Sequence, residues 1–380
     1  MSNKVMIIAG EASGDLHGAN LARELKILDS NVSLSGIGGV GMAAAGVELY
    51  YDISKLAVMG IVEVFSRLHD IRSAMNILES RFSVERPDLL ILIDYPGFNL
   101  ELARRAKKYN IPVLYYISPK IWAWREGRIK KIKKYIDRMA VILPFEKKFY
   151  QGHGVNAEFV GNPLLDEVKT SMTPTEFKAF YDIDADATII GIMPGSRRQE
   201  VAKLLPLFMQ TAKKLNSKID KCVFLLPLAS TLTEEEIKEH GALDSSLNIR
   251  IIKERRYEAM AACDAAMAAS GTLTMELAIL GVPMVVSYRL AMLSSVFAKL
   301  FVKVKYASLV NLVAGKEVVP ELLQLSATSE NIYEKMLPLL LNKESRDAMR
   351  SELFKVCKQL GEPGASRRVA KLASEMVAAG

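Results

Sequence analysis

From the first residues onward, short β-branched or aliphatic runs alternate with longer stretches whose apolar positions recur at helical spacing. This is the pattern of parallel sheets covered by crossover helices. In the first half, strands are predicted over 5–9, 32–36, 89–94, 113–117 and 139–143, with amphipathic helices over 16–28 and 61–82. After Gly161-Asn162-Pro163 the pattern loosens, and the polar stretch 169–174 ends in a proline, which reads as a linker and a new helix start. A second series then begins, with strands predicted over 188–193, 223–226, 247–252, 265–268 and 284–287. Beyond it only helical periodicity remains, over 332–341, 345–360 and 366–379. The expected α/β architecture is two doubly wound, Rossmann-like domains, 1–168 and 175–340, followed by C-terminal helices 341–380 packing across them. Such domains place the carboxyl ends of both sheets around one cleft, where ligands bind.

The length of 380 residues suits two domains, and a 50% hydrophobic composition supplies a core for each. The net charge of +7 is concentrated in 120–138, where eight basic residues stand against Glu126 and Asp137. That patch suits anionic lipid, phosphorylated substrates or nucleic acid, and a solvated helix face explains it equally. No helix-turn-helix, zinc-finger or aromatic RNA-binding signature accompanies it, so a nucleic-acid partner is not expected. Cys222, Cys263 and Cys357 are too widely spaced for a disulfide framework or a metal site and read as buried thiols. The opening Met1-Ser2-Asn3-Lys4, a short apolar run and then Glu11 and Asp15 do not read as a secretory signal, and no run is apolar enough to span a bilayer. A cytoplasmic location is expected.

Candidate chemistry gathers where predicted strands run into helices. The first strand enters Gly10-Glu11-Ala12-Ser13-Gly14-Asp15, which is neither a dinucleotide fingerprint nor a Walker loop. Its glycines allow a sharp turn and Ser13 offers a donor, so an anion or sugar hydroxyls can dock there; Ser13 or Asp15 as an ordinary helix cap explains the same residues. Asp94 closes an apolar run at a strand tip, where a general base would sit, and where a cap for a helix starting near Phe98 would sit too. His17 is a second candidate base. Ser118 to Arg125 holds both tryptophans, Trp122 and Trp124, whose rings stack on sugar faces or fill a core. In the second half, Pro194-Gly195-Ser196-Arg197 leads from a strand into a helix. There Ser196, Arg197 and backbone amides can converge on a phosphate, an exposed helix start being the plainer reading. Ser270-Gly271-Thr272 repeats this geometry, with Glu276 one turn along. A diphosphate at the helix end and a ribose on the carboxylate are what a nucleotide diphosphate sugar requires.

These strings, together with Ser308-Leu309-Val310-Asn311-Leu312, run in the order found in the bacterial lipid-A-disaccharide synthases, and the chain resembles that family over nearly its whole length. The Ser-Gly-Thr and Glu element is shared by many glycosyltransferases of the GT-B architecture, whereas the Gly10 to Asp15 and Ser118 to Arg125 strings are far more specific. The resemblance implies the GT-B fold and an inverting transfer. UDP-2,3-diacylglucosamine donates its sugar to the 6-hydroxyl of 2,3-diacylglucosamine 1-phosphate, giving a β-1,6 disaccharide and UDP. It implies Asp94 as the base, Ser196, Arg197 and Ser270 to Thr272 at the leaving diphosphate, and Glu276 at the ribose. Asn311 then lines the nucleotide or sugar side, and Glu11, Ser13 and Trp122 lie on the acceptor side. No cofactor or metal is implied: helix ends and arginine replace the ion, and no metal-binding Asp-x-Asp pair is expected. Acyl chains ask for an apolar landing surface, for which 56–82 and the basic amphipathic stretch 290–305 are candidates. Peripheral association with the inner membrane surface follows, and a homodimer is left open. Two rival readings use the same residues. A UDP-N-acetylglucosamine 2-epimerase, or another GT-B enzyme with a soluble acceptor, would share the nucleotide cradle, while a non-catalytic two-domain binding protein gives no reason for Asp94 and Arg197.

Overall fold

The computed structural model describes residues 2–53, 68–124, 126–229, 231–241, 244–289 and 305–379. The chain divides into two compact units, Met1–Pro163 with Leu360–Gly380, and Leu164–Gln359.

The first unit is built on seven parallel strands: β1 (Lys4–Ala9), β2 (Ser33–Gly38), β3 (Glu48–Asp52), β4 (Leu89–Ile93), β5 (Val113–Tyr116), β6 (Arg138–Val141) and β7 (Ala157–Phe159). Their spatial order is β3-β2-β1-β4-β5-β6-β7, so the winding reverses between β1 and β4. Open α/β sheets bind ligands at such a switch point, beyond the carboxyl ends of the strands. Alternate residues feed two cores. Met6, Ile8, Leu90 and Leu92 enter one, and Val5, Ile7, Leu89 and Ile91 the other. Burial on both faces is why these strands read as unbroken apolar runs.

The second unit repeats the plan with β8 (Thr188–Met193), β9 (Cys222–Pro227), β10 (Ile249–Ile252), β11 (Ala265–Ala269), β12 (Met284–Tyr288) and β13 (Glu321–Leu323), all parallel, in the order β10-β9-β8-β11-β12-β13. Its switch point lies between β8 and β11. Every predicted strand is present with slightly shifted ends. No apolar run announces β3, β7 and β13, which all lie at sheet edges. Edge strands bury less, and Glu48-Leu49-Tyr50-Tyr51-Asp52 contains no fully buried residue, so it offers no apolar run to detect.

The stretch 341–380 is shared between the units. The helix Lys343–Gln359 belongs to the second, beside Ser329–Leu341, whereas Ala365–Ala378 packs on the helix Ala12–Leu28 of the first. Arg138 reaches Glu375 at 3.0 Å, and Arg368 Nε donates to the Val160 carbonyl at 2.7 Å. Of the proposed acyl-landing stretches, residues 54–67 and 290–304 lie outside the described residues, as does Arg125. Cys222 and Cys263 are buried and Cys357 half-buried; burial pushes the Cys222 and Cys357 thiols up to about 11.

Candidate active site

At the switch point of the first sheet, the turns after β1, β4 and β5 come together. Asp94 and Tyr95 both take a left-handed φ of 44°, and Ile117 one of 61°, conformations that side-chain-bearing residues keep only when their surroundings enforce them. Here the enforcement is visible. Buried Asn99 donates from Nδ2 to the carbonyls of Ile93 (3.1 Å) and Asp94 (2.7 Å), and the Tyr115 hydroxyl donates to the same Asp94 carbonyl. The Asp94 N–H donates to the Tyr116 carbonyl at 3.1 Å. With its backbone so held, Asp94 is half-buried, and burial raises its carboxyl above the ordinary aspartate value. Glu11 adds to the rise, while Lys120, the Tyr95 amide and His17 oppose it. The following helix starts at Pro96 with Tyr95 as its N-cap residue, so Asp94 stands outside the cap.

The β1 turn supplies Glu11 and Ser13, both exposed. Gly10 lets the Tyr95 ring lie over the turn, since a Cβ there would be 2.3 Å from Tyr95 Cδ1. Asp15 does not cap its own helix. Its carboxylate accepts from the amides of Gly39 (2.7 Å), Gly41 (2.9 Å) and Met42 (3.0 Å), fixing the amino end of the helix Val40–Ala44. In the β5 turn, the Trp122 indole donates to Glu146 Oε1 at 2.9 Å, and the Ser118 hydroxyl donates to the same oxygen at 2.7 Å. Glu146 Oε2 accepts from the amides of Ile142 (3.2 Å) and Leu143 (3.0 Å). Burial raises the Glu146 carboxyl and these donors pull it back. The Trp122 N–H is therefore spent on holding its loop, and Trp124 is the exposed ring of the pair.

In the second unit, the turn after β11 is open. A Cβ built on Gly271 would meet nothing within 4 Å, and Thr272, the first residue of the helix Thr272–Ile279, is exposed. The amides that open this helix at Gly271 and Thr272, together with the helix dipole, make the turn suited to an anion. Ser270 Oγ donates to the Ala307 carbonyl at 2.9 Å, which ties the turn to a neighbouring loop. Glu276 is 7% exposed; burial raises its carboxyl, and Arg256, whose Nη2 donates to Oε2, opposes that. Ser196 and Arg197 are exposed at the start of the helix Arg198–Asn216, with Arg197 Nη1 3.0 Å from Glu200 Oε1. Burial raises the Tyr288 hydroxyl at the end of β12, and the Glu200 charge adds to the rise while Arg197 opposes it, so this turn adjoins the end of that strand.

Asn311 takes a different place from the one expected. It is fully buried, with Nδ2 donating to the Val319 carbonyl (2.9 Å) and Glu321 Oε1 (2.7 Å), and Oδ1 accepting from the amides of Val318 (2.7 Å) and Val319 (3.0 Å). Its amide is used up inside the protein, so it acts by shaping the loop that meets Ser270. The chain also contains Asp-x-Asp strings, Asp182 to Asp186, contrary to expectation. They precede β8, at the end of that strand away from the helix turns, and Asp184 accepts from Lys221 at 2.8 Å.

The family model for lipid-A-disaccharide synthetase matches residues 5–376. A lipid-A-disaccharide synthase from Syntrophus aciditrophicus is 44% identical over 376 residues, 99% of this chain and 98% of that protein. One from Nitrosococcus oceani is 45% identical over 373 residues, 98% and 96% of the two chains. The chain belongs to the lipid-A-disaccharide synthase family. Its members are glycosyltransferases, and the fold agrees. UDP-GlcNAc 2-epimerase from Neisseria meningitidis, bound to UDP-GlcNAc, superposes with a TM-score of 0.64 at 13% identity, covering 99% of this chain and 100% of that one. A calicheamicin glycosyltransferase does so at 0.61 and 13%, covering 99% and 98%. At those identities the likeness shows the GT-B fold alone, so the epimerase reading shares an architecture with this lipid-A-disaccharide synthase family and draws no further support from it.

Several residues that hold the candidate site residues of this family member in place carry little or no local sequence signal. Asn99 and Tyr115 hold the Asp94 turn, Glu146 holds Trp122, Arg256 pairs with Glu276, and Glu321 gathers Ala307, Ser308 and Asn311. The only sequence signal for Asn99 was its place in the string after Asp94. The other four act on partners that are distant in the chain.

Proposed function

We propose that this chain joins UDP-2,3-diacylglucosamine to 2,3-diacylglucosamine 1-phosphate, forming the β-1,6-linked lipid A disaccharide 1-phosphate and releasing UDP. An α-linked donor and a β-linked product require inversion, so the acceptor 6-oxygen attacks the anomeric carbon in line as the bond to the diphosphate breaks. Asp94 takes the proton of the 6-hydroxyl, and the electron pair of the broken bond leaves with UDP. Ser196, Arg197 and the amino end of Thr272–Ile279, with Ser270 and Gly271, bind the charge that grows on the leaving diphosphate. Glu276 accepts from the ribose hydroxyls. Glu11 and Ser13 meet the acceptor, while Trp122 and Asn311 serve by fixing their loops.

The observation that carries this reading is Asp94 itself: a half-buried carboxylate in an enforced left-handed turn at a switch point, with its proton affinity raised toward the range of a general base. Both substrates carry acyl chains, so the reading includes peripheral contact with the inner face of the cytoplasmic membrane. Exposed Lys130, Lys131, Lys133 and Lys134 on Ile129–Tyr135 support that contact, and among the described residues no helix is long and apolar enough to cross a membrane.

The test is UDP release with both diacylated substrates presented on anionic vesicles. UDP is expected only when the diacylated acceptor is present, with the enzyme sedimenting with the vesicles and Asp94→Ala lowering turnover by about 10²–10⁴-fold. Release with a soluble acceptor, or full turnover by Asp94→Ala, contradicts the assignment; enzyme left wholly in the supernatant contradicts the membrane contact.

A further inference from the structure

Glu276 is the one charged residue of the helix Thr272–Ile279, flanked by buried Met275, Leu277 and Ala278. A carboxylate so placed is costly unless a partner compensates it. Burial and the charge of Glu167 both work against its ionised form, and Arg256 is the cation that works for it. Arg256 opens the helix Arg256–Ala261 directly after Arg255, whose left-handed φ of 55° turns the chain out of the β10 end. The arginine side chain is 35% exposed, with its guanidinium carbon 5.4 Å from the Tyr257 ring centroid. It donates to Oε2, and no described residue donates a hydrogen bond to Oε1.

We propose that Arg256 is a positioning residue that sets nucleotide specificity: by occupying Oε2 it aims Oε1 of Glu276 at the ribose hydroxyls, so that the pair, and not Glu276 alone, tells ribose from deoxyribose. This rests on the reading of Glu276 as the ribose acceptor. The chemistry is that of the acceptor inventory. An ionised carboxylate only accepts hydrogen bonds, and a vicinal diol offers two donors; a protonated carboxyl presents an O–H of its own and mismatches one of them. Loss of Arg256 leaves the carboxylate buried and unpaired, to be answered by proton uptake or by rotation of the side chain, and both spoil the diol site. Lysine keeps the charge but loses the planar fork that fixes the carboxylate's orientation.

The experiment is calorimetric binding of UDP and 2′-deoxy-UDP to the full chain and to Arg256→Gln, Arg256→Lys, Glu276→Gln and the Arg256→Gln/Glu276→Gln double variant. The wild type is expected to prefer UDP by about tenfold or more, since a site built to bind a hydroxyl rejects the analogue lacking it. Arg256→Gln should bring the preference within about threefold, chiefly by weakening UDP, with Arg256→Lys in between and the double variant no worse than Glu276→Gln, as coupled residues are non-additive. If Arg256→Gln does not fold, the partial loss in Arg256→Lys decides the matter. Glu276→Gln losing the preference while both arginine variants keep it overturns the role of Arg256 and leaves the ribose reading standing. Glu276→Gln keeping the wild-type preference overturns the ribose reading, and this inference with it.

Discussion

At the scale of single residues, the chemistry proposed for the first unit depends on one carboxylate whose setting can be tuned. With Asp94 as the proposed base, turnover needs it ionised, and burial together with Glu11 holds its pKa above the ordinary value, so kcat/KM should rise with pH through that raised value and fall away below it. Lys120 opposes the rise. Neutralising it by Lys120→Gln removes an attraction that favours the ionised form, so the acid limb of the pH profile should move to higher pH, with the plateau reached later. A limb that stays in place, or moves to lower pH, would remove Lys120 from the electrostatics of the base. Asp94 and Glu276 were readable because a charged residue bordering or interrupting an apolar run is conspicuous. Their supports were not: Tyr115 lies 21 residues from Asp94, and Arg256 lies 20 residues from Glu276. No local pattern links such pairs, and only the folded sheet brings them together.

At the scale of elements, the continuous apolar strands made most of both sheets legible, and the same rule explains what was missed. A strand buried on both faces announces itself, whereas β3, β7 and β13 are edges of three to five residues. The first glycine of β2 shows how tightly the inner strands are built. Gly36 has φ 151°, and a Cβ there would sit 1.9 Å from the Ile7 carbonyl oxygen, on the backbone of β1. Immediately after it the pairing of β2 with β3 shifts register. Gly36→Ala must push β2 away from the strand that carries the Gly10 to Asp15 turn, and should destabilise the chain by about 3 kcal/mol or more. Chemical denaturation would measure this; a midpoint equal to that of the wild type would show that the strand pair has room that the geometry denies. Of the two residues that could cap the first helix, Asp15 serves a neighbouring helix instead, through the amides of Gly39, Gly41 and Met42.

At the scale of the whole molecule, the repeat of one α/β plan in two halves was evident from the order of runs and stretches, and the family follows from motifs spread along that order. The division of the C-terminal helices was not, because the amphipathic faces of Lys343–Gln359 and Ala365–Ala378 do not say which unit they cover. The proposed chemistry assigns the acceptor and its base to the first unit and the nucleotide to the second, and it depends most on the open turn before Thr272–Ile279. The most direct measurement is a crystal structure of the full chain with UDP. The account predicts diphosphate oxygens within about 3 Å of the Gly271 and Thr272 amides, as hydrogen bonding requires, and the ribose hydroxyls on Glu276. A nucleotide seated elsewhere, with that turn left to solvent, would contradict it.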